Sequence, residues 1–205
     1  MRRWNASLAG LLAAGALVLS GCGSAGTGPE GHSGHSMAPT SAPTSSAEAE
    51  HNAADVMFAQ MMIPHHKQAV RMAGLADGKA GPEVAKLAAA IKKAQGPEIT
   101  QMSGWLKSWD EPAAMDHDMG GMDHDMDHGN GMMSDADMKK LGTKSGAAFD
   151  RMFLTMMIKH HEGAVTMART ERKAGSYPAA KSLASSIVTT QTAEIAKMRG
   201  LLKAG

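Results

Sequence analysis

Three things are scarce in this sequence. It has a single cysteine, Cys22; aromatic residues make up 3% of its 205 positions; and its formal net charge is only +1. One cysteine excludes an internal disulfide, a multi-thiolate zinc site and a Cys-bound iron–sulfur cluster. A charge near zero, with no clustered basic face, argues against nucleic acid as a partner. A core so short of rings must be filled by Ala, Leu and Met, which suits closely packed helices. The most apolar stretch, residues 8–19, is too short to cross a bilayer comfortably. What is abundant is methionine, 19 residues, and histidine, 10. The thioether is soft and polarizable and suits Cu(I), while imidazole suits copper in general.

The N-terminus reads as a targeting segment. Arg2 and Arg3 precede the apolar run, and Leu19-Ser20-Gly21-Cys22 matches the bacterial lipobox, in which cleavage precedes a lipid-modified cysteine. Residues 1–21 are therefore expected to be a lipoprotein signal peptide and Cys22 the lipidation site. The mature protein is expected outside the cytoplasm, anchored to the cell membrane. Residues 22–47 are rich in Gly, Ser, Thr and Pro and have little to bury, as expected of a flexible tether. The tether carries Gly31-His32-Ser33-Gly34-His35-Ser36-Met37, which reads equally as weak metal capture or as polar linker.

Helical patterning starts near residue 48, where Ser45 and Glu48 have capping-box spacing, and Asp77-Gly78 is a plausible stop. Pro82 opens a second helix that Gly96-Pro97 is expected to kink or interrupt. Periodicity vanishes over residues 110–133 and restarts at Ser134. Gly142 and Gly146 separate a short lead-in from a helix running to about Lys173, Gly175 ends it, and Pro178 opens the last helix.

The most informative feature is an internal repeat. The segment from Asp55 to Ala73, containing Met61-Met62-Ile63-Pro64-His65-His66, recurs 95 residues later from Asp150 to Ala168, containing Met156-Met157-Ile158-Lys159-His160-His161. Twelve of nineteen positions are identical, including both His pairs and all four Met. Gln95, Glu98, Ile99 and Met102 find a weaker echo in Gln191, Glu194, Ile195 and Met198. Two similar helical hairpins follow, forming an all-α four-helix bundle over residues 48–203. Pro64 has no counterpart, so the bundle need not be strictly symmetric.

On a helical wheel, Phe58 and Met72 lie within roughly 20° of His65, and Met61 and Ala69 within roughly 40°. His65 thus sits at the centre of an apolar face, with His66 roughly 100° round at its edge and Lys67 towards solvent. The same holds for His160, His161, Met156 and Met167. A histidine on such a face serves either as a hydrogen-bonded core residue or as a ligand, and a Met stripe either packs or binds. Duplication favours a convergent polar cluster, in which Glu98 and Glu194 can orient the imidazoles from outside. The linker is more specific. Residues 115–133 hold six Met, three His and five Asp, the remainder being four Gly and Asn130. Such a segment cannot form a core. Its Met115, His117, Met119, Met122, His124, Met126 and His128 are candidate ligands, with thioether and imidazole selecting Cu(I) and imidazole with carboxylate suiting Cu(II).

The motif Met-Met-Ile-x-His-His, followed by Ala-Val-x-Met-Ala and present twice, resembles the bacterial exported family known as domain of unknown function 305. With Phe149-Asp150, His160 to Val165 and Gln191 to Met198, the resemblance covers about residues 51–202. It implies a ferritin-like four-helix bundle outside the cytoplasm, with some members resembling periplasmic copper-binding resistance proteins. By that likeness Met61, His65, His66, Met72, Met156, His160, His161 and Met167 are the functional positions. Three readings stand. The first is a non-enzymatic protein binding a copper ion, Cu(I) above all, for buffering, resistance or handover. The second is a structural or partner-binding lipoprotein with core histidines, its protein partner unknown. The third is a di-metal oxidase, for which only Glu48-Ala49-Glu50-His51 offers the Glu-x-x-His pattern.

Overall fold

A computed structural model describes residues 50–113 and 130–204. Four long helices carry the fold: α1 (Ala53–Gly74), α2 (Pro82–Ser108), α4 (Gly146–Ala174) and α5 (Pro178–Ala204), with a short α3 (Asp135–Gly142) leading into α4. Helix α1 begins five residues later than the sequence pattern suggests, because Asn52 supplies the better cap. Its side chain accepts from the Ala54 and Asp55 amides, and the Asp55 carboxylate accepts from the Asn52 amide at 2.7 Å. Ser45 and Glu48 lie outside the described residues. Ser134 and Asp137 form the same reciprocal cap on α3. Helix α2 continues through Gly96-Pro97 without the interruption expected there. Proline removes only the bond to the carbonyl four residues back, that of Lys93, and both Pro97 and Lys93 face solvent.

Helices α1 and α2 form one hairpin and α4 and α5 the other; the hairpins meet chiefly along α1 and α4. Two apolar clusters fill the two ends. One joins the end of α1, the start of α2, the start of α4 and the end of α5, around Phe149, Phe153, Met72, Met157, Ile91 and Met198. The other joins the start of α1, the end of α2, the end of α4 and the start of α5, around Phe58, Met62, Met102, Leu106 and Ile187. Helices α1 and α4 therefore run antiparallel, and the duplication becomes an approximate two-fold axis between them. The repeated aspartates show the same relation. Asp55 accepts from the Ser176 and Tyr177 amides, at 3.0 Å each, and its repeat partner Asp150 accepts from the Gly81 amide at 3.0 Å. Each repeat thus clamps the turn of the other hairpin.

Aromatic side chains concentrate at one end. Trp105, Trp109 and Tyr177 pack together with ring centroids 5.2 to 6.2 Å apart, and His51 stacks on Trp109 at 4.4 Å. His51 is therefore committed to that cluster, outside the bundle centre, which removes the Glu-x-x-His motif from any di-metal site there.

Candidate metal centre

Between the two apolar ends lies a polar layer. His65, His66, His160 and His161 are all buried, with no more than 1% of any of them exposed, and Gln95 and Gln191 are buried nearby in the sequence of α2 and α5. The two central imidazoles meet across the α1–α4 contact, the ring centroids of His65 and His160 being 3.7 Å apart. His66 and His161 lie to either side and each donates from Nε2 to a carboxylate at 2.7 Å, Glu98 for His66 and Glu194 for His161. The wheel places His66 at the edge of the apolar face. The fold buries it completely because α1 packs against both α2 and α4, so two of its faces are inside. Glu98 and Glu194 therefore orient the outer histidines and leave the central pair alone.

The central pair is not symmetric. His65 donates from Nε2 to the Asn130 carbonyl at 2.9 Å, whereas neither ring nitrogen of His160 has a partner among the described residues. The Nδ1 atoms of His65, His66 and His161 are also without partners there. Carbonyl and carboxylate acceptors place the proton on Nε2, so each Nδ1 presents a bare lone pair. Burial, reinforced by the neighbouring imidazoles, pushes the His65 pKa down to about 3 and that of His160 well below its ordinary value. These are neutral imidazoles, the form that binds metal.

Asn130 reaches the pair because residues 130–133 pack against α1 and α4. Gln68 holds this segment by accepting from the Met133 amide at 2.7 Å and donating to its carbonyl at 2.8 Å. Gly163 stands in the second repeat where Gln68 stands in the first, and its lack of a side chain lets the Asn130 carbonyl approach α4. Neither Asn130 nor this Gln68/Gly163 difference was singled out from the sequence, although the mismatch is visible in the repeat alignment.

The methionines divide. Met72 and Met156 are buried in the same apolar cluster, packed with Phe149 and Phe153. Met61 and Met167 are half-buried and line a cavity at the other end. Met61 and Met72 are eleven residues apart, roughly 16 Å along a helix, so one metal cannot use both. Among the described residues no three His, Cys, Asp or Glu side chains are disposed to hold one ion. Met115, His117, Met119, Met122, His124, Met126, His128 and Cys22 lie outside the described residues.

A second buried polar site went unnoticed in the sequence. Glu171 is 1% exposed and faces Asp55, and Gly175 leaves room for both carboxyl groups. Burial and the Asp55 carboxylate push the Glu171 pKa up to about 8. Burial alone would raise Asp55 too. The proton shared by Glu171 and the amides of Asn52, Ser176 and Tyr177 outweigh it and hold Asp55 below its ordinary value. The folded state therefore binds a proton on Glu171 that the unfolded chain releases above about pH 4.5, so this group's contribution to stability falls as pH rises towards 8. Between pH 6.5 and 8, urea unfolding of the apo protein is expected to lose up to about 1.4 kcal/mol per pH unit. Glu171→Gln, whose amide donates to Asp55 at any pH, is expected to flatten that slope; an unchanged slope excludes the shared proton.

No curated protein matches the chain. The family model for the domain of unknown function DUF305 matches residues 55–202. A DUF305 protein from Streptomyces coelicolor, assigned as secreted, is 36% identical over 74% of this chain and 91% of its own, with a TM-score of 0.66. A DUF305 fragment from Deinococcus radiodurans is 31% identical over 75% of this chain and 98% of its own, also at 0.66. CopM, solved in its Cu(II)-bound form, is 36% identical over 73% of this chain and 96% of its own, with a TM-score of 0.63; it has also been solved with Cu(I) and with Ag. No described helix is long and apolar enough to cross a membrane. With its duplicated His-His hairpins, its all-α bundle and a family match spanning nearly the whole of that bundle, the chain belongs to the DUF305 family.

Proposed function

We propose that this protein is a non-enzymatic copper binder, exported and anchored through Cys22, with His65 and His160 at its tightest site. The observation that carries this reading is the central pair: two buried, neutral imidazoles 3.7 Å apart, three of whose four ring nitrogens lack a partner among the described residues. Leaving a buried polar atom unsatisfied costs about 1–3 kcal/mol. A metal ion accepting the one lone pair that each neutral ring presents would remove that cost at two of the three atoms, the third being the nitrogen that carries the His160 proton. A donor set of two imidazoles, with no third His or carboxylate converging among the described residues, suits a soft ion of low coordination number better than zinc, which wants four ligands. The copper-bound forms of CopM support copper as the ion. His66 and His161, already bonded to Glu98 and Glu194, brace the layer from both sides.

The Met/His/Asp linker supplies further, weaker sites on this reading. Ordering backbone on binding costs roughly 1–2 kcal/mol per residue fixed, and the bundle's ligands already stand on helices. Cu(I) titration of the full mature chain against a competing chelator tests the scheme. Deleting residues 115–128, which spares Asn130 and Met133, is expected to lower stoichiometry and keep the tightest site. His65→Gln with His160→Gln is expected to remove the tightest site and keep the rest. If the double variant retains its helical circular dichroism and still titrates as wild type, the two histidines are structural. Cys22→Ala is expected to move the protein from the membrane to the soluble fraction, and an unchanged distribution removes the anchor.

A further inference from the structure

The duplication gives each half of the bundle a set of three methionines: Met57 and Met61 on α1 with Met167 on α4, and their repeat partners Met152 and Met156 on α4 with Met72 on α1. Equal by sequence, the sets have opposite fates. Met72 and Met156 are buried in the cluster around Phe149, Met152 packs against it, and Met133 and Leu141 of α3 close over the same cluster. Those thioethers are packing. At the other end Met57 is 52% exposed, the one large hydrophobic side chain so exposed among the described residues, and Met61 and Met167 are only half-buried. All three line a single cavity of about 230 Å³ between α1 and α4. Thr166, Thr170 and the carbonyl-bearing Asn130 also line it, and its one acidic side chain is Glu171, buried and facing Asp55.

A single exposed methionine is ordinary by itself. What sets Met57 apart is that it lines one cavity together with two further thioethers, those of Met61 and Met167. Met57 and Met61 are four residues apart, so their side chains lie one above the other on α1, and Met167 faces them from α4. The geometry points to a second metal site in this cavity, where Met57, Met61 and Met167 hold a soft monovalent cation, Cu(I) or Ag(I), through thioether sulfur alone. The site rests on the reading that the protein binds a soft metal, but it requires nothing of His65 or His160. Neutral thioethers discriminate by softness and leave Zn(II) and Mg(II) in water. The cavity opens at the surface, whereas the histidine pair is enclosed; the two sites differ in access as well as donors.

Methyl NMR of the full mature chain labelled at the methionine methyl carbons, titrated with Ag(I), tests the assignment. Ag(I) is redox-inert, and single Met→Leu variants assign the resonances. The Met57, Met61 and Met167 methyls are expected to shift together, in wild type and equally in the His65→Gln/His160→Gln variant. Met57→Leu with Met167→Leu preserves volume and helix propensity. It is expected to weaken the binding reported by the Met61 methyl at least tenfold. Zn(II) is expected to move none of the three. If these methyls stay still while Ag(I) binds elsewhere in the bundle, the cavity is no metal site and the histidine reading survives. If Ag(I) moves no resonance of the bundle and leaves the histidines unperturbed, both readings fall. A shift with Zn(II) equal to that with Ag(I) overturns the thioether assignment.

Discussion

Acid is expected to unfold the apo domain through its two central histidines. In the unfolded chain both imidazoles take up protons as pH falls through about 6.5; in the folded bundle His65 resists until about 3 and His160 is also held far below its ordinary value. The stability contributed by these neutral rings is thus complete above 6.5 and is lost as pH falls towards 3. Each proton taken up only by the unfolded state costs about 1.4 kcal/mol per pH unit, so the pair costs about 2.7. Glu171 works the other way between about 4.5 and 8 and conceals half of this slope. Between pH 6.5 and 4.5 the wild type is therefore expected to lose about 1.4 kcal/mol per unit, and Glu171→Gln about 2.7. Against a domain stability of about 5–15 kcal/mol, two units are enough to matter. Chemical unfolding followed by helical circular dichroism at a series of pH values measures both slopes. A slope near zero in Glu171→Gln would show that the histidines are hydrated or paired in the native state.

Gly163→Ala is expected to destabilise the protein by about 2–4 kcal/mol, in a helix where alanine ordinarily helps. A Cβ at this position would overlap the Asn130 carbonyl, and both atoms belong to backbone, so no side-chain rotation relieves the clash. Asn130 must withdraw, leaving the buried His65 Nε2 without its acceptor and pulling on the Gln68–Met133 pair. Helix propensity offsets about 1 kcal/mol of the loss. Gly104 and Gly200 are the controls: both are exposed in helices with open space around their Cβ positions, and alanine there is expected to stabilise by up to about 1 kcal/mol. Thermal unfolding of the three variants separates the effects, and a neutral Gly163→Ala would show that residues 130–133 can leave the bundle freely. Copper affinity is expected to change with it, since His65 then loses the bond that sets its tautomer.

The helices, their order and the two-hairpin plan were legible in the sequence because each rests on local signals: Pro82 and Pro178 at helix starts, Ser134 as a cap, Gly142, Gly146 and Gly175 as breaks. The repeat also revealed the four histidines, since periodicity placed His65 and His160 inward without knowledge of any partner. Where the wheel erred, at His66, it erred because a wheel knows one buried face and α1 has two. The Gly96-Pro97 break failed for a related reason: the carbonyl released by Pro97 belongs to a residue that water can serve.

What the chain's own order could not settle is how two near-identical halves become different. The antiparallel meeting of α1 and α4 puts His65 on His160 but sends Met61 and Met72 to opposite ends. The packing of Asn130 against the pair then breaks the symmetry. It gives one histidine an acceptor and leaves the other without a partner among the described residues, and Met133 and Leu141 after it pack on one methionine set while the other lines a cavity. Asp55, Glu171 and Gly175 come together from segments more than a hundred residues apart for the same reason. Sequence periodicity reports what each helix hides; which donors share a site depends on distances between helices, and those exist only once the hairpins have packed.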